Sequence, residues 1–172
     1  MKGAENMTNI IIGNIVMLIG SCAEVFAGYA KTKNMTLVIQ VVKYVFMIVG
    51  AVILGAISCA IITAFMILRN FLEYKGWFKK SVKYGLVGCA MIISIGINNM
   101  GWIGYIPVVA FIISTIGIST SDIAKYKIIN AITCGLFLVN DILIRSYTSA
   151  IVSAISIATN VYRANKTKSV IA

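Results

Sequence analysis

Long apolar runs, separated only by short polar clusters, recur from one end of the chain to the other, and that rhythm leaves few folds open. The runs fall at about 8–29, 35–54, 56–71, 84–97, 105–119, 128–144 and 148–162. A stretch of about 20 apolar residues matches the hydrocarbon thickness of a bilayer when helical. Lipid offers the backbone no hydrogen bonds, so each run is read as a membrane-crossing helix. Seven is the preferred count, with six as the fallback, because several runs are short and their ends are soft. Composition agrees: 60% of residues are apolar and only 12% are charged, so the chain is a polytopic membrane protein. Ile19-Gly20-Ser21-Cys22 loosely resembles a lipoprotein cleavage site. Lys2 stands against Glu5 in a weak N-terminal region, however, and the first run is retained as a helix.

The net charge of +10 would suggest nucleic acid in a soluble protein. Here the basic residues fall between apolar runs, where topology explains them and nucleic acid is not expected. Lys31 and Lys33, then Arg69, Lys75, Lys79, Lys80 and Lys83, then Lys125 and Lys127, then Arg163, Lys166 and Lys168 all fall on one side of a seven-span chain. They are twelve of the fifteen basic residues. Lys2 and Arg145 fall on the other side, and Lys43 lies within a span. By the positive-inside rule the N-terminus is out and the C-terminus in. Tyr29, Tyr74, Trp77, Tyr84, Tyr126 and Tyr162 then collect at the inner interface, and Trp102, Tyr105 and Tyr147 at the outer one. Cys22, Cys59, Cys89 and Cys134 occur singly in apolar runs and read as buried small hydrophobes.

The chain also echoes itself. Ser58–Asn70 (SCAIITAFMILRN) returns as Thr148–Asn160 (TSAIVSAISIATN), with Ala60/Ala150, Ile61/Ile151, Ala64/Ala154, Ile67/Ile157 and Asn70/Asn160 identical. A second echo sets Tyr29–Lys33 against Ile123–Lys127, displaced by four positions, as a loop-length change would produce. The expected architecture is all-α: two parallel three-helix repeats joined by a connector helix, 3+1+3. Its parts are a first repeat at 8–72, a loop and connector at 73–103, a second repeat at 104–163 and a basic cytoplasmic tail at 164–172.

Three stretches carry a resemblance: Phe46–Gly55 (FMIVGAVILG), Ile106–Thr115 (IPVVAFIIST) and Asn160–Arg163 (NVYR). With their order along nearly the whole chain, they make it similar to the YgjV family of bacterial inner-membrane proteins, within the PQ-loop group that includes SWEETs and SemiSWEETs. The resemblance implies a multi-pass protein of the bacterial inner membrane. It also implies that symmetry-related asparagines of each repeat's third helix, here Asn70 and Asn160, line a substrate site.

Polar residues inside the spans are the remaining chemistry. Glu24 lies nine residues before Lys33 and Lys43 ten after it, so a hairpin turning there brings both to similar depth. An unpaired charge at that depth is costly, which predicts an ion pair or a neutral Glu24. The pair is either a proton or substrate site or a structural contact. Asn14, Gln40, Asn130 and Asn140 are the uncharged set, with Gln40 and Asn130 at equivalent repeat positions. They serve as interhelical bridges or as site residues. Asp141 and Arg145 are expected as an exposed i,i+4 pair. Ser58, Ala60, Ala64, Thr148, Ala150 and Ala154 are expected to let helices approach closely. Met47 and Met66 should simply pack.

No His, no metal-ligand cluster, no phosphate-binding glycine loop and no Ser beside a base occur, so no catalytic residues, metal or cofactor are expected. The leading expectation is a small-solute transporter or facilitator with its site between the repeats. The second is a non-transporting scaffold or receptor-like module whose basic face, Lys75 to Lys83, holds a partner or anionic lipid. The partners implied are the lipid bilayer and an unidentified small solute, with a homo-oligomer left open.

Overall fold

A computed structural model describes the backbone of residues 2–171 and the side chains of residues 7–167. The charges read at Lys2 and Lys168 therefore lie outside the described side chains. Among the described residues seven α-helices follow one another: α1 (Lys2–Tyr29), α2 (Lys33–Ile53), α3 (Ile57–Tyr74), α4 (Lys80–Ile97), α5 (Ile106–Gly117), α6 (Ile123–Leu143) and α7 (Tyr147–Ile171), with a 3-10 turn at Gly101–Tyr105 before α5. Each expected run is thus a helix. Five are long and apolar enough to cross a membrane: Met7–Tyr29, Lys33–Ile53, Ile57–Tyr74, Lys80–Ile97 and Ile123–Leu143. Gly101–Gly117 is a shorter apolar helix. α7 is richer in Ser, Thr and Asn, and it continues as helix through the basic residues after Tyr162.

Local chemistry sets the boundaries. Thr32 caps α2 by accepting from the Met35 N–H, and Asp122 caps α6 by accepting from Ala124 and Lys125. Pro107 sits in the first turn of α5, where its missing N–H costs least. The α2–α3 and α6–α7 turns are built alike. Gly55 and Arg145 both adopt left-handed φ, +74° and +63°. In one turn the Ala56 N–H donates to Ala51 O at 2.8 Å, and in the other Ser146 donates to Asp141 O at 2.7 Å.

The burial pattern of Ser58–Asn70 recurs in Thr148–Asn160: Cys59, Ala60, Ile62, Thr63, Met66, Arg69 and Asn70 are buried, and so are Ser149, Ala150, Val152, Ser153, Ser156, Thr159 and Asn160. The second echo, in contrast, falls out of register. Ala30 to Thr32 form the α1–α2 connection, whereas Ala124 to Lys127 already lie in the first turns of α6. The four-position displacement is a sequence coincidence, because caps, turns and helix starts keep one spacing.

α1 packs on α2 and α7, α2 on α3, α5 on α6, α6 on α7, and α3 on α5. α4 lies at the periphery against α3 and α5, burying one line of residues, Leu86, Ala90 and Ser94. Met17, Met47, Ile62, Met66, Phe111 and Phe137 are central to the shared core. Ile11, Val45, Ile92, Ile116 and Ile151 point outward as a lipid-facing belt.

Close helix approach is organised differently from the expectation. Ser58, Ala60 and Ala150 are buried, but Ala64 and Ala154 face outward. Ala64 instead lines a lipid-side groove of about 500 Å³ between α2 and α3. Glycine brings α1 and α2 together: a Cβ on Gly20 would lie 2.9 Å from the Lys43 carbonyl oxygen, and one on Gly50 would collide with Met17 Cγ.

The connections gather at two ends. At the basic end, Tyr29, Tyr74, Trp77, Tyr84 and Tyr162 are exposed, and the Lys33 ammonium pairs with the Glu73 carboxylate. Trp102, Tyr105 and Tyr147 are exposed at the other end. Tyr126 leaves the expected belt, since helix periodicity turns it inward and buries it. Of the cysteines, Cys59 and Cys134 are buried as expected; Cys22 and Cys89 are exposed instead, on outward faces of α1 and α4.

Candidate functional site

Glu24 on α1 and Lys43 on α2 do meet, with Lys43 Nζ 2.9 Å from Glu24 Oε2 and both side chains buried. The ammonium also lies 5.5 Å from the centroids of the Tyr44 and Phe137 rings, which give it a weakly attractive wall. The other carboxylate oxygen, Oε1, accepts from Asn130 Nδ2 of α6 at 2.8 Å and from the Cys134 thiol at 3.5 Å. Removing water from two opposite charges is costly, so such a pair persists only where further hydrogen bonds complete it. Here they do.

The contacts continue across the molecule. Gln40 Nε2 donates to Asn130 Oδ1 at 2.9 Å, joining α2 to α6 through two residues 90 positions apart. Gln40 Oε1 accepts from Tyr126 at 3.2 Å and from Asn70 Nδ2 at 3.3 Å. Asn70 Oδ1 accepts from Arg69 Nε at 3.1 Å and from Nη2 at 2.7 Å. Arg69 Nη1 then donates to the Ser114 hydroxyl of α5. One unbroken polar chain therefore runs Lys43–Glu24–Asn130–Gln40–Asn70–Arg69–Ser114 and ties together α1, α2, α3, α5 and α6.

Arg69 is the notable member. Its place beside a basic loop suggests a solvated charge, yet it is 2% exposed. It sits seven residues after Ile62 and three after Met66, on the same buried stripe of α3, which is the sequence signal for its burial. Its neighbours Asn70 and Ser114 are neutral, so among the described residues this guanidinium is buried without a carboxylate. Ser114 joins the interior without a motif to mark it; Tyr126 and Lys127, expected at the inner interface and in a basic loop, are buried instead, and Lys127 donates to Gly28 O at 2.7 Å.

The remaining expected residues lie apart from this chain. Asn160 is buried but donates to Ser156 O on its own helix at 2.8 Å. Asn140 donates to Cys59 Sγ at 3.7 Å. Asn14 donates to Ile10 O at 2.8 Å and Arg145 O at 3.0 Å, while its own oxygen accepts from the Thr148 N–H, stitching α1 to the start of α7.

Asp141 and Arg145 do not form the expected exposed pair. Arg145 lies beyond the end of α6 with left-handed φ, so helical i,i+4 geometry no longer applies. Asp141 is fully buried and accepts at Oδ2 from Ser149 at 2.8 Å and Ser153 at 3.3 Å. Ser149 in turn accepts from Ser21 at 3.1 Å. At the end opposite the basic one, a cavity of about 280 Å³ is lined by Asn9 and Ile10 and by the two equivalent turns, Leu54–Gly55 and Ile144–Arg145.

A family model described as Imp-YgjV, bacterial inner membrane protein, matches residues 11–169 of the chain. Neither the curated proteins nor the solved structures gave a match.

Proposed function

The chain belongs to the Imp-YgjV family of bacterial inner membrane proteins, and from that premise we propose that it is a small-solute transporter or facilitator with its polar site between two like-facing three-helix bundles. The bundles are α1–α3 and α5–α7, with α4 as connector, N-terminus out and C-terminus in, in a PQ-loop, SWEET-like arrangement. The observation that carries this reading is the bond between Gln40 and Asn130. Residues at matching positions of two bundles meet only near the axis relating them, and this pair lies at the middle of the buried polar chain. Further support comes from the helix pairs. Exchanging α1, α2 and α3 for α5, α6 and α7 turns α1 on α2 into α5 on α6, and α1 on α7 into α5 on α3, all of which occur. The paired turns at Gly55 and Arg145 line a common cavity, as turns related by such an axis would.

On this reading Glu24, Lys43, Gln40, Asn70, Arg69 and Asn130 form the central site. One bundle rocks against the other to expose it alternately to either side. Asn160 joins the site only when α7 shifts, since it now bonds its own backbone. The test is uptake of a solute library into proteoliposomes. Uptake of at least one solute is expected, lost in Asn70→Ala and Asn130→Ala and retained in Lys79→Gln. Folded protein that moves no solute would defeat the proposal.

A specific observation favours a second reading, the non-transporting scaffold or receptor-like module. Glu24 and Asn160 are 3% and 1% exposed, so the interface is closed around them. A scaffold would keep it closed permanently. Cysteine accessibility at position 130 in membranes separates the two: with the exposed Cys22 and Cys89 replaced by serine, labelling of the Asn130→Cys variant is expected of a transporter and not of a scaffold.

A further inference from the structure

At the basic end, away from the central polar chain, α1, α6 and α7 enclose a cavity of about 220 Å³. Three cations line it, Lys31, Lys127 and Arg163, together with Tyr29 and Thr167, and no acidic residue among the described residues does. The nearby acids are already engaged. Glu24 is held by Lys43 and Asn130, and Asp122 is turned into the α6 cap. Lys127 is buried and donates to Gly28 O, and an ammonium has three donors. The Arg163 guanidinium lies 4.7 Å from the centre of the Tyr29 ring, yet its Nε is buried with no hydrogen-bond partner among the described residues. Three like charges around one void, with an orphaned N–H among them, have no counter-anion among the described residues.

We propose that this cavity binds a phosphate-type oxyanion. Its oxygens would accept from the Arg163 guanidinium and from the spare Lys127 donors, with the exposed Lys31 closing over the outer side. The cavity lies at helix ends beside exposed Tyr29 and Tyr162, the level at which lipid headgroups sit. Basic pockets between helices at such ends receive anionic headgroups. A soluble phosphate would satisfy the same donors, so the experiment separates the two sources. This inference stands apart from the transport reading.

Full-length protein is reconstituted in nanodiscs with equal amounts of phosphatidylglycerol and phosphatidylcholine, and retained lipid is read by native mass spectrometry. A parallel arm measures protection by inorganic phosphate against thermal unfolding in phosphatidylcholine alone. Selective retention of phosphatidylglycerol, weakened about fivefold in Arg163→Gln and in Lys31→Gln, is expected if a headgroup is the source. Protection by inorganic phosphate, lost in the same variants without lipid selectivity, supports the site with a soluble source. Lys31 is exposed, so its variant keeps the test open should a buried substitution misfold. The proposal is overturned if neither arm responds, or if Lys79→Gln on the other basic loop weakens binding as much as Arg163→Gln.

Discussion

Residues 32–70 and 122–160 follow the same local plan: a side-chain cap, a 21-residue helix, a left-handed turn and a second helix buried at matching positions. Their chemistry is not the same. The first segment places Lys43 and Arg69 in the interior where the second has Thr133 and Thr159. The second places Asp141 where the first has Ala51. Asn70 reaches across to α2, whereas Asn160 bonds its own helix. Matching backbone thus fixes which positions are deep, and the side chains decide which of them interact between helices. Exchanging residues between the segments tests that division.

The largest effect is expected from Lys43→Thr, which gives the first segment the residue of the second. Thr133 satisfies its hydroxyl on Ile129 O of its own helix, and the introduced hydroxyl would find the equivalent carbonyl, Ile39 O, one turn back on α2. Glu24 would then be left buried and unpaired, a loss of about 3–5 kcal/mol. Unfolding in detergent measures it, and the double variant Glu24→Gln/Lys43→Thr should recover more than half. A single variant as stable as the parent would mean that Glu24 is neutral and the ion pair immaterial.

Much of this geometry is legible in the residues alone. The seven helices follow from apolar runs and their polar breaks, and the Glu24–Lys43 pair from nearly equal distances to the α1–α2 hairpin. Gln40 and Asn130 can be matched by spacing, but not seen to touch, because helix spacing does not say which neighbouring helix a side chain faces. Arg69 departs from its expected loop setting because a cation near a helix end usually reaches water, and only the buried stripe through Ile62 and Met66 argues otherwise. Asp141 departs from its expected pairing because the i,i+4 rule assumes an unbroken helix, and α6 ends at Leu143. The Tyr29–Lys33 echo fails because a few matching letters carry no register when caps and turns fix another one.

A smaller contrast separates the two asparagines. Asn70→Ala removes both Arg69 contacts to Oδ1 and the donor to Gln40, so a loss of about 1–3 kcal/mol is expected. Asn160→Ala removes one bond to Ser156 O, a carbonyl inside a continuous helix, and should cost less than about 1 kcal/mol. Chemical denaturation of the two variants side by side measures the difference. Equal losses would show that α7 holds its asparagine as firmly as α3 does and that the chemical asymmetry is superficial.

The finest test concerns the two turns themselves. Gly55 adopts φ +74° without a Cβ, while Arg145 adopts φ +63° with one. A left-handed conformation places Cβ against the following carbonyl oxygen and costs a non-glycine residue about 1 kcal/mol or more. The turn tolerates this because Ser146 N–H closes on Asp141 O and because Asn14 holds the Arg145 carbonyl at 3.0 Å. Both bonds use backbone atoms that glycine keeps, and the exposed Arg145 side chain adds no described ion pair. Arg145→Gly should therefore raise stability by somewhat less than the relieved strain, since glycine also gains freedom in the unfolded chain. Gly55→Arg, the reverse exchange, should lower stability by a similar amount. A higher melting temperature for Arg145→Gly and a lower one for Gly55→Arg are expected together; opposite signs would mean that the shared turn geometry is imposed by tertiary contacts and not by the residue at its left-handed corner.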